Sequence, residues 1–303
     1  MKRGISTNRT NISLPTDIAQ EVMQKTQEAS AIMRLARRIN LPGRGLTIPV
    51  ITGDPEAAWV AETGAKPVSN PSLTQKVMQA YKLAVIVPFS DEFRRDLPAL
   101  YDAIVERLPG ALALKFDQTV IGNGSAPGEN FDTFAAVTAQ SIVPAEGHTA
   151  YDGLVAAYAD VAAHNGTVNG IGISPAGESI LLGATDGVGR PLFTAGVFDS
   201  DVNRILGADV AKGRGLYKAG AAGVGTAAGT PAVVGVAGDW TQAVYGTVEG
   251  VQIRFADQTG LTIASEQVNL WEHNMFAVRA EIEVGFRADT DCFNLLTGAV
   301  PQA

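Results

Sequence analysis

The stretch that most restricts this chain lies between Leu46 and Val87. Leu46-Thr47-Ile48-Pro49-Val50-Ile51 reads as a strand, and Leu73, Val77, Tyr81, Leu83, Val85 and Val87 mark a second strand run within residues 73–88. Between them Thr52 to Ser72 is rich in Gly, Pro, Ala and charge, and holds Trp59. Two strands around a polar stretch of ~20 residues predict a long β-hairpin. Such a ribbon has little core of its own, and a two-stranded ribbon alone is marginal in water. Something else must bury it. Trp59-Val60, followed by Glu62-Thr63-Gly64-Ala65-Lys66-Pro67, points to a reach onto a neighbouring molecule. Trp59, Glu62 and Lys66 are its contact candidates.

The leading segment poses the same problem. Residues 1–45 read as an arm. Ser13-Leu14-Pro15-Thr16-Asp17 suits a helix start, and Ile18, Val22, Met23, Ala29, Ile32, Met33 and Leu35 then recur at helical spacing. That apolar stripe needs a partner, on its own domain or on a neighbour. Residues 1–48 hold eight Lys/Arg, Arg34, Arg37 and Arg38 among them, against three acids, for a net +5. The whole chain carries −8, so the remainder is −13. A basic arm on an acidic body suits pairing between copies by opposite charge.

Further along, Leu100, Ile104, Leu108, Ala111, Leu112, Lys115, Phe116 and Val120 follow helical spacing. Ser90 suits an N-cap for a short first helix, Pro98 suits the first turn of the long one, and Pro109 is expected to kink it. Residues 150–250 read as a mixed lobe: helices over 151–164 and 176–182, strands at 170–174 and 232–236, and a hairpin turn at Glu249-Gly250. From Met275 to Arg287 polar and apolar residues alternate, which predicts one long strand with one apolar face. Cys292 to Leu296 can add a strand beside it.

Chemistry is hard to find. Hydrophobic residues make up 46%, which excludes a disordered chain. No apolar run approaches the ~20 residues that span a bilayer. Nothing at Met1 to Asn8 resembles a signal peptide, so a cytoplasmic chain is expected. The charge of −8 argues against a general nucleic-acid binder. His148, His164 and His273 lack metal-ligand spacing, and the lone Cys292 reads as a small buried residue that cannot build a zinc site. There is no G-x-S-x-G and no Walker A sequence; Gly223 to Gly229 spaces its glycines one residue too long for a dinucleotide fingerprint. No catalytic, cofactor-binding or metal residue is expected. Trp240 and Trp271 are expected in the core.

The run IPVITGDPEAAWVAETGAKPVSNPSLTQKVMQAYKLAVIVPFSDEFRRD, the helix Leu97 to Ile121 closing on GNGS, GDWTQAVYGTVEGVQIRFADQ, and NMFAVRAEIEVGFRADTDCFNLLT follow one another in order. Together they resemble the major capsid proteins of tailed bacteriophages, the family with the Hong Kong 97-type fold, over roughly residues 10–300. The resemblance implies an α+β fold: an N-terminal arm (1–45), an extended β-hairpin loop (46–75), a peripheral domain with a long spine helix (76–145), an axial α/β domain (146–255) and closing peripheral strands (256–303). It implies pentamers and hexamers in an icosahedral shell around double-stranded DNA, with the loop laid on the next subunit and the arm beneath neighbours. It implies no cofactor, no membrane and no sequence-specific DNA contact, and it allows a separate scaffolding protein, portal and decoration proteins as partners. Assembly would take place in the bacterial cytoplasm.

Many members of the family begin with a long charged helical scaffolding segment; this sequence starts almost directly at the arm, so scaffolding is expected to be separate, absent or previously removed. Some members also join a loop Lys to a neighbour's Asn, and Lys66 and Asn294 are of the required types. An encapsulin-type compartment shell keeps the same fold in another role. A nucleotide-dependent enzyme built on the Gly-rich loop and a tail-tube or decoration protein are the readings from other classes.

Overall fold

The structure, a computed structural model, describes residues 16–43, 46–51, 73–92, 97–145, 148–185, 188–193, 204–223, 229–248, 250–258, 260–263 and 266–300. In chain order its elements are α1 (Thr16–Ala29), α2 (Ala31–Leu35), β1 (Arg37–Asn40), β2 (Leu46–Ile51), β3 (Leu73–Met78), β4 (Tyr81–Ser90), α3 (Leu97–Val120), β5 (Ala139–Ser141), α4 (Ala150–Ala163), β6 (Gly170–Ile173) and α5 (Pro175–Leu182). There follow β7 (Arg204–Ile205), β8 (Ala208–Lys212), β9 (Val233–Gly238), β10 (Ala243–Thr247), β11 (Gln252–Ala256), β12 (Gly260–Ile263), β13 (Glu266–Asn269), β14 (Met275–Ala288) and β15 (Phe293–Thr297).

The first sheet is built on β14. Its alternation places Phe276, Val278, Ala280, Ile282, Val284 and Phe286 on a buried face, as the period of two requires. One edge of β14 pairs with β4, from Met275↔Ser90 to Val284↔Tyr81. The other edge takes β10 and then β11, and β1 lies parallel beside β10. Helices α1 and α3 cover this sheet, with Val22, Met23, Leu108 and Leu112 buried among Phe276, Val278, Ala280 and Ile282. The leading stripe thus finds its partner on its own body.

The expected hairpin at Glu249-Gly250 does not form. β10 and β11 both pair with β14 rather than with each other. From Thr247↔Val284 to Gln252↔Glu281 this side advances five residues against three on β14, so β10 and β11 follow one another along the same edge. The fourteen residues of β14 offer enough edge for both segments, which a hairpin would leave half unpaired.

The second sheet has the order β5-β15-β9-β6-β8-β7. Helix α4 starts with a reciprocal capping box between Thr149 and Asp152, and α5 with Ser174 as N-cap and Pro175 in its first turn. Leu154 and Ala157 of α4 and Leu181 of α5 pack with Ile171, Ile173, Val234 and Leu296. Cys292 to Leu296, expected beside β14, instead leads into β15 between β5 and β9. All five residues of β15 are buried, an environment that an inner strand has and an edge of the first sheet lacks.

The two sheets meet at an aromatic cluster. Phe134 stacks on Phe293 at 4.7 Å and sets its edge against Phe286 at 5.7 Å; Trp240 meets Phe293 at 5.2 Å. Phe116 brings α3 into the same cluster. Trp240 is core, as expected, its indole N–H donating to the Gly170 carbonyl at 2.8 Å. Ser90 ends β4 and also caps a helical turn at 91–92, its hydroxyl accepting from Glu92 N–H at 3.4 Å; α3 begins at Leu97 and runs on through a buried Pro109.

Candidate intersubunit surfaces

The ribbon β2–β3 is an antiparallel pair in register from Leu46↔Met78 to Ile51↔Leu73. Its first strand has the expected bounds, whereas the second strand run divides at Gln79-Ala80 and β4 joins the body. Its base is fixed firmly. The Arg287 guanidinium donates from Nε and Nη2 to the Val77 carbonyl at 2.8 and 2.7 Å, and from Nη1 to Asp132 at 2.7 Å. Lys76 Nζ donates to the Ala288 carbonyl at 3.0 Å. Gly246 and Gly285 face each other across β10 and β14 and leave a slot for the ribbon base. A Cβ on Gly285 would stand 2.6 Å from the Gln79 carbonyl oxygen, and one on Gly246 2.8 Å from Met78 Sδ. Away from that slot, Leu46 and Val77 are exposed. Trp59, Glu62 and Lys66 lie outside the described residues.

The leading segment is held by one buried carboxylate. Asp117 of α3 accepts from the Ser30 hydroxyl at 2.5 Å, from Ala31 N–H at 3.0 Å and from Ile32 N–H at 3.4 Å. Ser30 also caps α2 by accepting from Met33 N–H at 3.1 Å. Burial pushes Asp117 up to about 7, against the pull of those three donors. The sequence reading passed over Asp117. The signal was present: with Ala113, Val120 and Ile121 it falls on the helix's buried stripe, where an acid needs a partner.

Arg34 stands exposed in the last turn of α2, and Arg37 and Arg38 stand exposed on the edge strand β1. The fold brings Arg34 and Arg38 to one place. Arg38 is in register with Tyr245, and Arg34 and Tyr245 line a groove of about 450 Å³ with Gln24, Gln27, Glu28 and Met33. Burial raises the Tyr245 phenol while Arg38 pulls it down. Arg37 is on the other parity of β1.

Trp271 was expected in the core and is instead 67% exposed. It sits on a turn between β13 and β14. Leu270, fully buried, pins the turn; Met275 N–H closes it on the Leu270 carbonyl at 2.9 Å; and Asn274 takes a left-handed φ of 51°. Asn269 accepts from Trp271 N–H at 3.3 Å and donates to Glu272 at 2.9 Å. A short run that reads as strand carries a Trp inward or outward with equal ease, and here the turn decides.

Asn294 is fully buried in β15, its amide donating to Asp160 at 2.7 Å and Thr138 at 3.0 Å. This removes it as a target for a neighbour's Lys66: a crosslinking Asn must be reachable from outside. Among the described residues no group of His, Cys, Asp and Glu could hold a metal, and no helix is long and apolar enough to cross a membrane. Residues 224–228 of the Gly-rich loop lie outside the described residues; the loop is closed by pairing of Ala221 with Thr230 and neither follows a strand nor opens a helix.

A family model described as the phage capsid family matches residues 11–290. The probable major capsid protein gp17 of Mycobacterium phage L5 is 31% identical over 300 residues, 94% of this chain and 89% of that protein. A solved chain from Mycobacterium phage Ogopogo superposes with a TM-score of 0.69 at 18% identity, covering 90% of this chain and 92% of that one. The capsid of an empty GTA particle, computed with C5 symmetry, gives a TM-score of 0.62 at 15% identity, with 90% and 97% covered. At these identities the two structures speak for the fold alone.

Proposed function

The chain belongs to the phage capsid family, and from that membership we propose how one protomer is completed by its sisters. It is a major capsid protein, a structural subunit of a virion shell and not an enzyme. Copies gather into pentamers and hexamers that close an icosahedral head around double-stranded DNA. The DNA is enclosed by the wall and not read by it, in keeping with the charge of −8. The second sheet with α4 and α5 lies toward the capsomer centre, and the loop of residues 46–75 crosses onto the next subunit. Trp59, Glu62 and Lys66 make contacts at its far end, and Arg34, Arg37 and Arg38 meet the acidic body of a neighbour. A separate scaffolding protein, a portal and decoration proteins are the expected partners, and assembly takes place in the host cytoplasm. The shell's strength comes from many modest contacts made together. An encapsulin-type compartment shell is not favoured, since the relatives are named as phage capsid proteins.

The observation that carries this reading is the ribbon. Its base is clamped by Arg287 and Lys76, yet Leu46 and Val77 stay exposed on a two-stranded pair with no core of its own. Deleting residues 54–70 should leave a folded subunit, with an unchanged far-ultraviolet spectrum and a cooperative melt, that assembles poorly. Normal shells from that deletion would count against a bridging loop.

A further inference from the structure

We propose that the Trp271–Glu272 turn of one copy docks into the groove of a second copy lined by Gln24, Gln27, Met33, Arg34 and Tyr245. The proposal rests on the shell reading above and names one contact within it.

Three observations meet. First, Trp271 is 67% exposed on a turn fixed by Leu270, Asn269 and Asn274. A rigid, exposed indole loses little freedom on docking, which is the character of an interface anchor. Second, the groove fits such a side chain chemically. Met33 and Tyr245 give it soft and aromatic walls, and Arg34 can lie over an indole face. Third, the charges are complementary. Arg34 and Arg38 stand at the groove, where Glu28 already accepts from Gln24 Nε2 at 2.9 Å; Glu272 sits next to Trp271, with Glu266 on the strand leading to it. Gln27 adds a demand from the groove side, since its Nε2 is buried without a hydrogen-bond partner among the described residues. An incoming carboxylate or carbonyl supplies an acceptor.

One copy cannot make this contact with itself. The turn leads into Met275 at one end of β14, and Tyr245 pairs with Phe286 near the other. Eleven strand residues separate them by roughly 35 Å. A contact between different patches on two copies is heterologous, the kind that closes rings around an axis.

The test uses the full chain under conditions in which wild type forms shells. Trp271→Ala and, separately, Glu272→Arg should each lower the sedimenting shell fraction by at least about tenfold, with melting temperatures unchanged. Arg34→Glu combined with Glu272→Arg should recover much of the Glu272→Arg loss. In shells of a Gln24→Cys, Glu272→Cys variant, mild oxidation should give a ladder of linked chains, absent from the dissociated protein and from either single variant. Wild-type yields from Trp271→Ala, or assembled shells of the double-cysteine variant that stay monomeric on oxidation, would overturn the contact. Wild type that forms no shells at all would instead sink the reading beneath it.

Discussion

The hydroxyl of Ser30 donates to the buried carboxylate of Asp117 at 2.5 Å, and this pair ties the leading segment to the long helix across 87 residues of sequence. The N–H groups of Ala31 and Ile32 complete the site, so one carboxylate satisfies the start of α2. Asp117→Ala leaves three buried donors unmatched and should cost about 3 kcal/mol in urea unfolding. Ser30→Ala removes one bond and a helix cap and should cost about 1 kcal/mol. Equal, negligible effects would mean that the segment is not held here.

The same carboxylate predicts a pH dependence. Burial raises Asp117 from 3.8 to about 7, so between those values the folded chain holds a proton that the unfolded chain releases. Its contribution to stability is therefore greatest below about pH 4 and is lost as pH rises through about 7. The stability difference between wild type and Asp117→Asn should shrink or reverse from pH 4 to pH 8. Unfolding curves that stay parallel across that range would contradict the assignment.

Gly285→Ala probes the seat of the ribbon. Its Cβ would meet a backbone oxygen 2.6 Å away, which no side-chain rotation relieves. The substitution should cost about 1–3 kcal/mol and raise hydrogen exchange at residues 73–78. Gly43→Ala, where nothing lies within 4 Å, is the control and should be close to neutral.

The burial of Asn294 bears on covalent chemistry. Shells boiled in SDS should yield a single band near 31.6 kDa. A ladder above it that Asn294→Ala abolishes would show that this side chain leaves its site beside Asp160 and Thr138.

Local pattern made much of this fold legible. The alternation from Met275 to Arg287, the helices over 151–164 and 176–182, and the helical spacing from Leu100 to Val120 each reflect forces acting between near neighbours. What escaped the sequence was decided at long range. Glu249-Gly250 has turn chemistry, but the spare edge of β14 outweighed it. Cys292 to Leu296 reads as a strand without saying which sheet has an inner vacancy for it. Trp271 reads as core because an indole is apolar, and only the pinned turn turns it outward. Asp117 and Ser30 meet across 87 residues of sequence, which no local window contains.

The most direct test is hydrogen–deuterium exchange on assembled shells against dissociated subunits, followed peptide by peptide. The account predicts marked added protection in shells at Leu46–Ile51, at Leu73–Met78 and over residues 269–274, with the Asp117 neighbourhood equally protected in both states. A dissociated subunit whose ribbon and Trp271 turn are already as protected as in the shell would contradict it, because the protomer would then be complete alone.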